Sequence, residues 1–449
     1  MFGLGQELAQ SAASGQRIRA ALIGAGQMGT DVVSQAAQMP ALDVVVVADV
    51  VLERAVRAYE IAGHPPERVP VARTVEEAER ALHQGRLVAT TDYRLATDAT
   101  PVQAVVEATG SPQAGARAAL RAIARGRHLV NMSVEMDITI GPLVHRYAQA
   151  HGVVYTLAAG DEPTALYELY DLARALGLQV VAAGKGKNNP LDRDATPDSL
   201  AAEAARRGLT PEMLVEFVDG SKTMVEMAAV ANATSLVPDV RGMHGPRANV
   251  RDLRAVFALK EQGGILGQAG VVEYVIGDLA PGVFLVFTTE SPRLRQCLVL
   301  RDMGQGPNYV LVRPFHLCSM EVPLSVARAV LQRQPTMPPP QRLVAEVLSV
   351  AKTDLAPGRA LERIGGRTHY GLIDRAGAAA DLGALPLGLA QGAVVRRAVS
   401  KGQVITCNDV ELPAGSTLVA LRRLQDAWLA GELPEAELVK RVDAVTRDA

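Results

Sequence analysis

The chain has 449 residues, 48% hydrophobic content and a net charge of −2, which is too long for one ordinary domain and apolar enough for two or three cores. No apolar stretch reaches the length of a membrane span, and acids and bases are mixed along the chain, so neither a nucleic-acid partner nor a membrane partner is expected. The start, Met1-Phe-Gly-Leu-Gly5, lacks a basic segment followed by an apolar one, and Cys297, Cys318 and Cys407 are spaced for neither zinc nor a disulfide framework, so the reading is a cytoplasmic protein with reduced, buried thiols.

Met1 to Gln16 reads as a short leading helix. The apolar run from Ile18 ends in Gly24-x-Gly26-x-x-Gly29, with Gln27 and Met28 between the last two glycines, and a helix follows over Met28 to Gln38. A second apolar run, Val44 to Ala48, ends at Asp49, about 25 residues after the first glycine. In this setting Gly24 permits the tight turn and Gly26 lets the backbone approach a pyrophosphate. Gly29 lets the helix pack on the strand, and the helix N-terminus faces the phosphates. Strand, turn, helix, second strand and terminal acid in this order point to a bound dinucleotide. Asp49 is placed to accept hydrogen bonds from an adenosine ribose, which favours NAD. Arg54 is close enough in sequence to neutralise a 2′-phosphate instead, so NAD and NADP both stay open.

Leu52 to Ile61 reads as a helix, His64 to Glu67 as a loop, and Thr74 to Gln84 as a helix capped by Thr74. Strands follow at Arg86 to Thr91 and Val102 to Ala108, then a helix at Ala114 to Ala124 and a strand at His128 to Met132. Such alternation implies a mostly parallel sheet covered on both faces. Thr109 and Gly110 lie at the carboxyl end of a central strand, where they flank the nicotinamide half of a cofactor or form a plain connection capped by Ser111. In Asn131-Met-Ser-Val-Glu-Met-Asp137, Glu135 and Asp137 alternate. Read as extended, both point one way, as a cation-binding or hydroxyl-orienting pair or as exposed loop acids.

A helix at Gly141 to Ala150 and a strand at Val153 to Leu157 precede a long helix that ends near Gly177. The strand Leu178 to Ala183 runs into Gly184-Lys-Gly-Lys-Asn-Asn-Pro190. Extended geometry puts the ammonium groups of Lys185 and Lys187 on one side, inviting a phosphate, a carboxylate or a developing enolate. A desolvated lysine there also relays a proton to a carbonyl oxygen, and the alternative is a solvated basic turn. Asp192 to Ser199 reads as a loop and Pro211 to Ser235 as containing one long helix, with Ser221 as cap and Asn232 near the face of Lys222. Lys222 and Glu226, four apart, are site residues or a helix-surface ion pair. His244 and His316 stand beside Gly or Pro in loops, as acid–base groups, ligands or structural histidines. Val271 to Phe287 reads as antiparallel strands, Tyr309 to Arg313 as another strand and Leu324 to Gln332 as a helix. Thr336 to Pro340 is a linker. Beyond it come a strand at Leu343 to Ala351, short strands broken by glycines over Leu387 to Thr406, and a docking helix from Ser416 carrying Leu421, Leu424, Trp428 and Leu429.

With these residues in hand the chain resembles a known group. The glycine fingerprint, Val105-Val-Glu-Ala-Thr-Gly110 and Gly126-Arg-His-Leu-Val130 resemble a homoserine-dehydrogenase-type NAD-binding domain. Ala159-Gly-Asp-Glu-Pro163, Gly184-Lys-Gly-Lys-Asn188 and Phe217-Val-Asp-Gly-Ser-Lys-Thr-Met-Val-Glu-Met227 are similar to the DXR-like (DRL) oxidoreductases, and Gly392 to Asp409 resembles the SAF module. The resemblance implies a Rossmann doubly wound parallel sheet over residues 1–157, an α+β catalytic and oligomerisation domain over 158–340, and a small β-rich SAF-like module with a C-terminal helix over 341–449. The DRL family is associated with NADPH-dependent conversion of 1-deoxy-D-xylulose 5-phosphate to 2-C-methyl-D-erythritol 4-phosphate, a step of isoprenoid synthesis. The resemblance therefore implies an NADPH- or NADH-dependent enzyme acting on CH–OH groups, with a small anionic substrate, Mg²⁺ or Mn²⁺ as an optional metal, and a homo-oligomeric state.

In that reading Lys185, Lys187, Lys222, Glu226 and His316 form the catalytic set, the lysine pair suiting a phosphate or oxyanion and His316 a polar substrate contact. Homoserine dehydrogenases carry a lysine after the strand equivalent to His128–Met132. Here Asn131-Met-Ser-Val-Glu135 offers none, which counts against homoserine oxidation itself. Two other readings stand beside this one. One is an ordinary dehydrogenase of a sugar-derived hydroxy acid or homoserine-like substrate. The other is a non-catalytic dinucleotide sensor that uses the SAF-like part to bind a partner or glycan.

Overall fold

The computed structural model describes residues 3–448, so the first two residues of the expected leading helix lie outside it. The chain forms two units, one of Met1–Asp161, Leu317–Gln341 and Gly415–Ala449, the other of Glu162–His316 and Arg342–Ala414.

The first unit is built on a six-stranded sheet of β1 (Ile18–Ile23), β2 (Leu42–Ala48), β3 (Val88–Thr90), β4 (Ala104–Glu107), β5 (His128–Asn131) and β6 (Tyr155–Leu157). The order is β3-β2-β1-β4-β5-β6 and every pairing is parallel. It is the Rossmann-like sheet expected. Strands covered on both faces read as unbroken apolar runs, and Val44 to Ala48 are accordingly all buried. The helices are α1 (Leu4–Ala13), α2 (Gln27–Ala36), α3 (Leu52–Ile61), α4 (Val75–His83), α5 (Tyr93–Asp98), α6 (Pro112–Ala124) and α7 (Val134–Ala150). Thr74 and Ser111 cap α4 and α6, accepting from the backbone N–H of Glu77 and Ala114. Strand order reverses between β1 and β4, and the crevice beyond the carboxyl ends at such a point is where α/β sheets bind ligands.

The extended reading of residues 131–137 is corrected. Ser133 N–H donates to the Asn131 side chain and α7 starts at Val134, so Glu135 and Asp137 lie about 200° apart on a helix. Glu135 is half-buried, whereas Asp137 is buried and accepts from Tyr155 Oη at 2.6 Å. Gly141-Pro142 looks like a helix start in sequence. It sits inside α7 because Val134, Met136, Ile138, Ile140, Leu143 and Val144 bury most of the helix surface, and packing overrides local propensity.

The second unit begins with α8 (Glu162–Ala175), β7 (Gln179–Lys187), α9 (Pro197–Arg207), α10 (Pro211–Val218), α11 (Ser221–Thr234), β8 (Val237–Pro238), α12 (Leu253–Val256), β9 (Val271–Ile276), β10 (Val283–Thr288), α13 (Pro292–Val299) and β11 (Asn308–Arg313). Its mixed sheet has the order β11-β10-β7-β9-β8. The strands within Val271–Phe287 do not pair with each other. They flank β7, with β9 parallel and β10 antiparallel to it. The expected long helix is two helices, because Gly220 at φ +88° breaks the run between α10 and α11. Ser221 is not the cap. Its N–H donates to Asp219, and its hydroxyl accepts from Gly371 N–H. Part of the expected loop 192–199 is the first turn of α9, with Pro197 following the capping Thr196.

Within the first unit the chain continues through α14 (Val322–Ala327), with Thr156 Oγ1 holding the N–H of Thr336. The rest of the second unit is β12 (Ala345–Ala351) paired antiparallel with β13 (His369–Arg375), then α15 (Ala376–Asp381) and the short pair β14 (Val394–Val395) and β15 (Val410–Glu411). The C-terminal α16 (Thr417–Leu429) and α17 (Glu435–Asp448) pack on α6 and α7 of the first unit. Gln425 both accepts from Leu143 N–H and donates to Thr139 O. Leu421 is buried there, Leu424 and Trp428 are half-buried and Leu429 is exposed. These contact-defined units differ from a contiguous division at 157 and 340. None of the three cysteines is in a disulfide and, against expectation, none is buried: Cys297 and Cys318 are half-buried and Cys407 is exposed. Among the described residues no helix is long and apolar enough to cross a membrane.

Candidate active-site residues

In the first unit the three fingerprint glycines answer to three different demands. Gly24 has φ +101°, and a Cβ on it would stand 2.4 Å from Ala108 O. A Cβ on Gly29 would stand 2.0 Å from Gly24 O, so close packing of α2 on the turn requires glycine there. A Cβ on Gly26 would meet nothing within 4 Å. The protein's own packing does not demand glycine at that position, which suits a surface that a ligand approaches closely. Gly26 is also the N-cap of α2 and offers no side-chain cap to the first turn, which holds Gln27 and Met28.

Asp49 follows β2 and is half-buried. Its carboxylate accepts from Ala25 N–H at 2.7 Å and Val51 N–H at 2.9 Å, so it braces the glycine turn while keeping lone pairs for a ribose. Arg54 is exposed in the first turn of α3. Beyond β4, the N–H and hydroxyl of Thr109 both donate to Glu107 Oε1, at 2.8 and 2.5 Å, and Gly110 takes φ +64°. Glu107 is fully buried and burial raises its pKa. Its Oε2 has no hydrogen-bond partner that meets full geometry, although Ser133 lies close enough to lower the pKa in part. Asn131 bridges toward Tyr155, and Asp137 at the far end is pushed up to about 6 by burial despite its bond from Tyr155. This buried polar chain at the ends of β4 and β5 was not expected from sequence, where Thr109 and Gly110 read as a turn and Asp137 as half of an extended acid pair, either cation-binding or hydroxyl-orienting or exposed on a loop.

In the second unit, Lys185 and Lys187 alternate along β7 as expected, and both are buried. The intervening glycines are forced by close packing: a Cβ on Gly184 would stand 2.2 Å from Glu273 O, and one on Gly186 would stand 2.8 Å from Ala280 N. Lys185 Nζ bonds Glu162 at 2.6 Å and makes a close contact with Glu226. Burial alone would lower its pKa, but the two carboxylates outweigh burial and hold it above the usual lysine value. Lys222 Nζ lies 3.9 Å from the other oxygen of Glu226, and His316 Nε2 lies 3.4 Å from Glu162. Lys185, Glu226 and His316 thus gather around a residue the sequence reading did not single out, Glu162 at the start of α8, and Lys222 joins them through Glu226.

Lys187 is different in kind. Its Nζ donates to the carbonyl of Phe217 at close range. Burial, then the neighbouring Lys185 charge, lower its pKa to about 8, while Asp219 and Glu226 pull weakly the other way. The pair is therefore one permanently charged ammonium engaged by carboxylates and one amine that titrates near neutrality. Carboxylate oxygens of Glu162 and Glu226 lie within 4.8 Å of each other and are the donor type that Mg²⁺ or Mn²⁺ takes. Lys185 already bridges them, its one positive charge set against two negative ones and its ammonium placed between their oxygens, so in this arrangement a divalent ion has no room without displacing it.

Two sequence candidates serve elsewhere. Asn232 Oδ1 accepts from the N–H groups of Val344 and Ala345. His244 Nδ1 is 2.6 Å from the buried Glu273, and its Nε2 is 3.8 Å from Asp239. Sequence reasoning also missed Lys352 and Asp219. The chain holds only seven lysines, at 185, 187, 222, 260, 352, 401 and 440, among 46 lysines and arginines. In a chain that otherwise uses arginine, that scarcity was an available signal for positions needing a compact, three-donor charge.

No curated protein matches this chain. Solved structures similar to it include a probable dehydrogenase from Thermotoga maritima, with 11% identity and a TM-score of 0.32 over 67% of this chain and 70% of that one. DOX-P reductoisomerase in complex with magnesium gives 11% identity and 0.40 over 70% and 69%. A putative oxidoreductase from Magnetospirillum magnetotacticum MS-1 gives 18% and 0.38 over 72% and 95%. Residues 160–322, the stretch that holds Glu162, Lys185, Lys187, Lys222, Glu226 and His316, match the family model described as oxidoreductase DRL, catalytic domain.

Proposed function

We propose that this protein is an NAD(P)H-dependent oxidoreductase acting on a small, polar, anionic carbonyl or hydroxy compound, with 1-deoxy-D-xylulose 5-phosphate reductoisomerisation as the leading reaction. The family match of residues 160–322 and the glycine geometry of the first unit support it. The observation that carries it is Lys187, a buried amine with a pKa near 8 beside an ammonium that stays charged. Reducing a carbonyl requires a proton for the developing alkoxide oxygen, and a group titrating near the working pH both gives and regains one efficiently. Lys185, locked by Glu162 and Glu226, supplies a fixed positive charge to an oxyanion. Lys222 and His316 are the remaining polar contacts for the substrate.

A bound nicotinamide supplies the hydride. The chain's part in holding it falls to the turn of Gly24, Gly26 and Gly29 for the pyrophosphate, to Asp49 for the ribose and to Thr109-Gly110 for the nicotinamide end. Asp49 favours NADH. Arg54 and the DRL resemblance favour NADPH, and direct titration with both decides. No step is assigned to a metal. The protein is taken as cytoplasmic and homo-oligomeric, the latter checked by light scattering.

The test is a screen of phosphorylated and free ketoses and hydroxy acids for NAD(P)H oxidation or formation, with and without Mg²⁺ or Mn²⁺, on wild type and K187M. Turnover lost in K187M with dinucleotide affinity retained supports the reading. Undiminished turnover removes Lys187 from the chemistry. Inactivity toward 1-deoxy-D-xylulose 5-phosphate removes that substrate, and activity on a sugar-derived hydroxy acid replaces it with the ordinary dehydrogenase reading.

A further inference from the structure

We infer that Lys352, on the C-terminal hairpin, is a positioning residue for the catalytic cluster: it clamps the turn between α10 and α11 that sets where Lys187 and Glu226 stand. The inference rests on the proposed role of Lys187, and its test is separable from that role. Lys352 directly follows β12 and is 4% exposed. Its ammonium donates to Ala195 O at 2.9 Å, Asp219 Oδ2 at 2.9 Å and Gly366 O at 3.1 Å, so all three of its donors are used. The other oxygen of Asp219 accepts from Ser221 N–H at 2.8 Å, at the first residue of α11. Two residues before Asp219, the carbonyl of Phe217 takes the bond from Lys187. The junction from Phe217, at the end of α10, to Ser221, at the start of α11, is thus held from β7 by one buried lysine and from the residue after β12 by another.

The hairpin grips α11 at further points. Gly371 N–H donates to Ser221 Oγ at 2.8 Å, at the start of the helix. Near its end, Val344 and Ala345 N–H both donate to Asn232, at 2.8 and 2.9 Å. Glu226, which holds Lys185 and Lys222, lies between these ties. The hairpin face turned to α11 is therefore built into the second unit and is not free to receive a partner or glycan. A buried ion pair is a poor way to gain stability, since an apolar pair of similar volume does as well. What the charged pair adds is control of the Asp219 charge, which acts on Lys187 together with Lys185 and Glu226. The Lys352 charge also acts on His369, whose pKa is lowered to about 4 by burial and by Lys352. An arginine does not replace it, because a planar fork cannot meet three acceptors arranged around a point.

The experiment uses the full chain carrying [ε-¹³C]lysine, whose seven signals are few enough to assign by substitution. In K352M, Asp219, whose pKa burial already raises, loses the ammonium that partly offsets that rise, takes up a proton and no longer favours the Lys187 ammonium. The Lys187 midpoint then falls by about half a pH unit or more. D219N shifts it the same way, and the double variant shifts it no further than either single one. Once a substrate is known, kcat falls in K352M with KM and dinucleotide affinity nearly unchanged. An unmoved Lys187 midpoint in folded K352M overturns the inference. Should K352M fail to fold, K352R decides: a displaced Lys187 midpoint supports the clamp, and a wild-type midpoint refutes it. A wild-type Lys187 that does not titrate near pH 8 counts against the proposed function. The displacement of the Lys185 and Lys187 signals in K352M still judges the clamp.

Discussion

Replacing Lys187 by methionine tests the physics of the site without any substrate. The wild-type amine is held at about 8 against an ordinary lysine value of 10.5, a difference of about 2.5 units, or roughly 3 kcal/mol of unfavourable burial of the charged form. Relaxation of the polar surroundings about the charge reduces this to about 2 kcal/mol. Methionine has similar length and no charge, but leaves the Phe217 carbonyl unpaired, at a cost of about 1 kcal/mol. At pH 7 the K187M second unit is therefore more stable than wild type by about 1 kcal/mol. Between pH 8 and 10.5 the unfolded lysine keeps its proton while the folded one has lost it, so wild-type stability rises with pH and the variant's does not. By pH 10 the difference reverses, and K187M is less stable by about 0.5 kcal/mol. Urea unfolding followed by circular dichroism at both pH values measures this, with Trp428 fluorescence marking the first unit separately because that tryptophan lies in α16. A variant that is weaker at pH 7, or a difference that ignores pH, shows that Lys187 is not a buried, depressed amine.

The remaining predictions concern both units. G26A folds with an unchanged melting temperature but loses at least about tenfold in dinucleotide affinity, while G29A, blocked by Gly24 O, also destabilises the first unit; equal melting of the two variants contradicts the division of labour among the glycines. D137N removes a carboxyl whose folded pKa is raised to about 6. Because that stabilisation is complete below the unfolded value and is lost as pH climbs through 6, the variant's first unit is flatter in stability between pH 4 and 7 and more stable at pH 7, by up to about 3 kcal/mol. Trp428 fluorescence reads it, and an unaltered pH profile rules the idea out. E226Q leaves Lys185 buried with one carboxylate instead of two and costs about 3 kcal/mol in the second unit by urea unfolding; a loss under about 0.5 kcal/mol, the size of a surface pair, would show that the cluster is solvated.

Legibility followed the range of the forces involved. Thr74 and Ser111 were readable as caps because a cap bonds three residues away. Residues 131–137 were not readable, because Asp137 is stabilised as a buried helical residue by Tyr155, 18 positions on. Gly220 and Pro197 were visible in the sequence and their meaning was misjudged, since a glycine after Asp219 and a proline after Thr196 mark a helix boundary as readily as a loop.

The sequence by itself determined the mostly parallel sheet and its glycine turn, and it placed Lys185 and Lys187 on one side of an extended segment. Those features rest on backbone sterics and on side-chain periods of a few residues. Only the tertiary structure decided what each lysine meets. Lys185 finds Glu162 and Glu226, 23 and 41 positions away, and stays charged. Lys187 finds a carbonyl 30 positions away, and Lys352 closes on Asp219 across 133. The charge state of a buried amine depends on which groups share its low-dielectric surroundings, and that company is assembled by the fold.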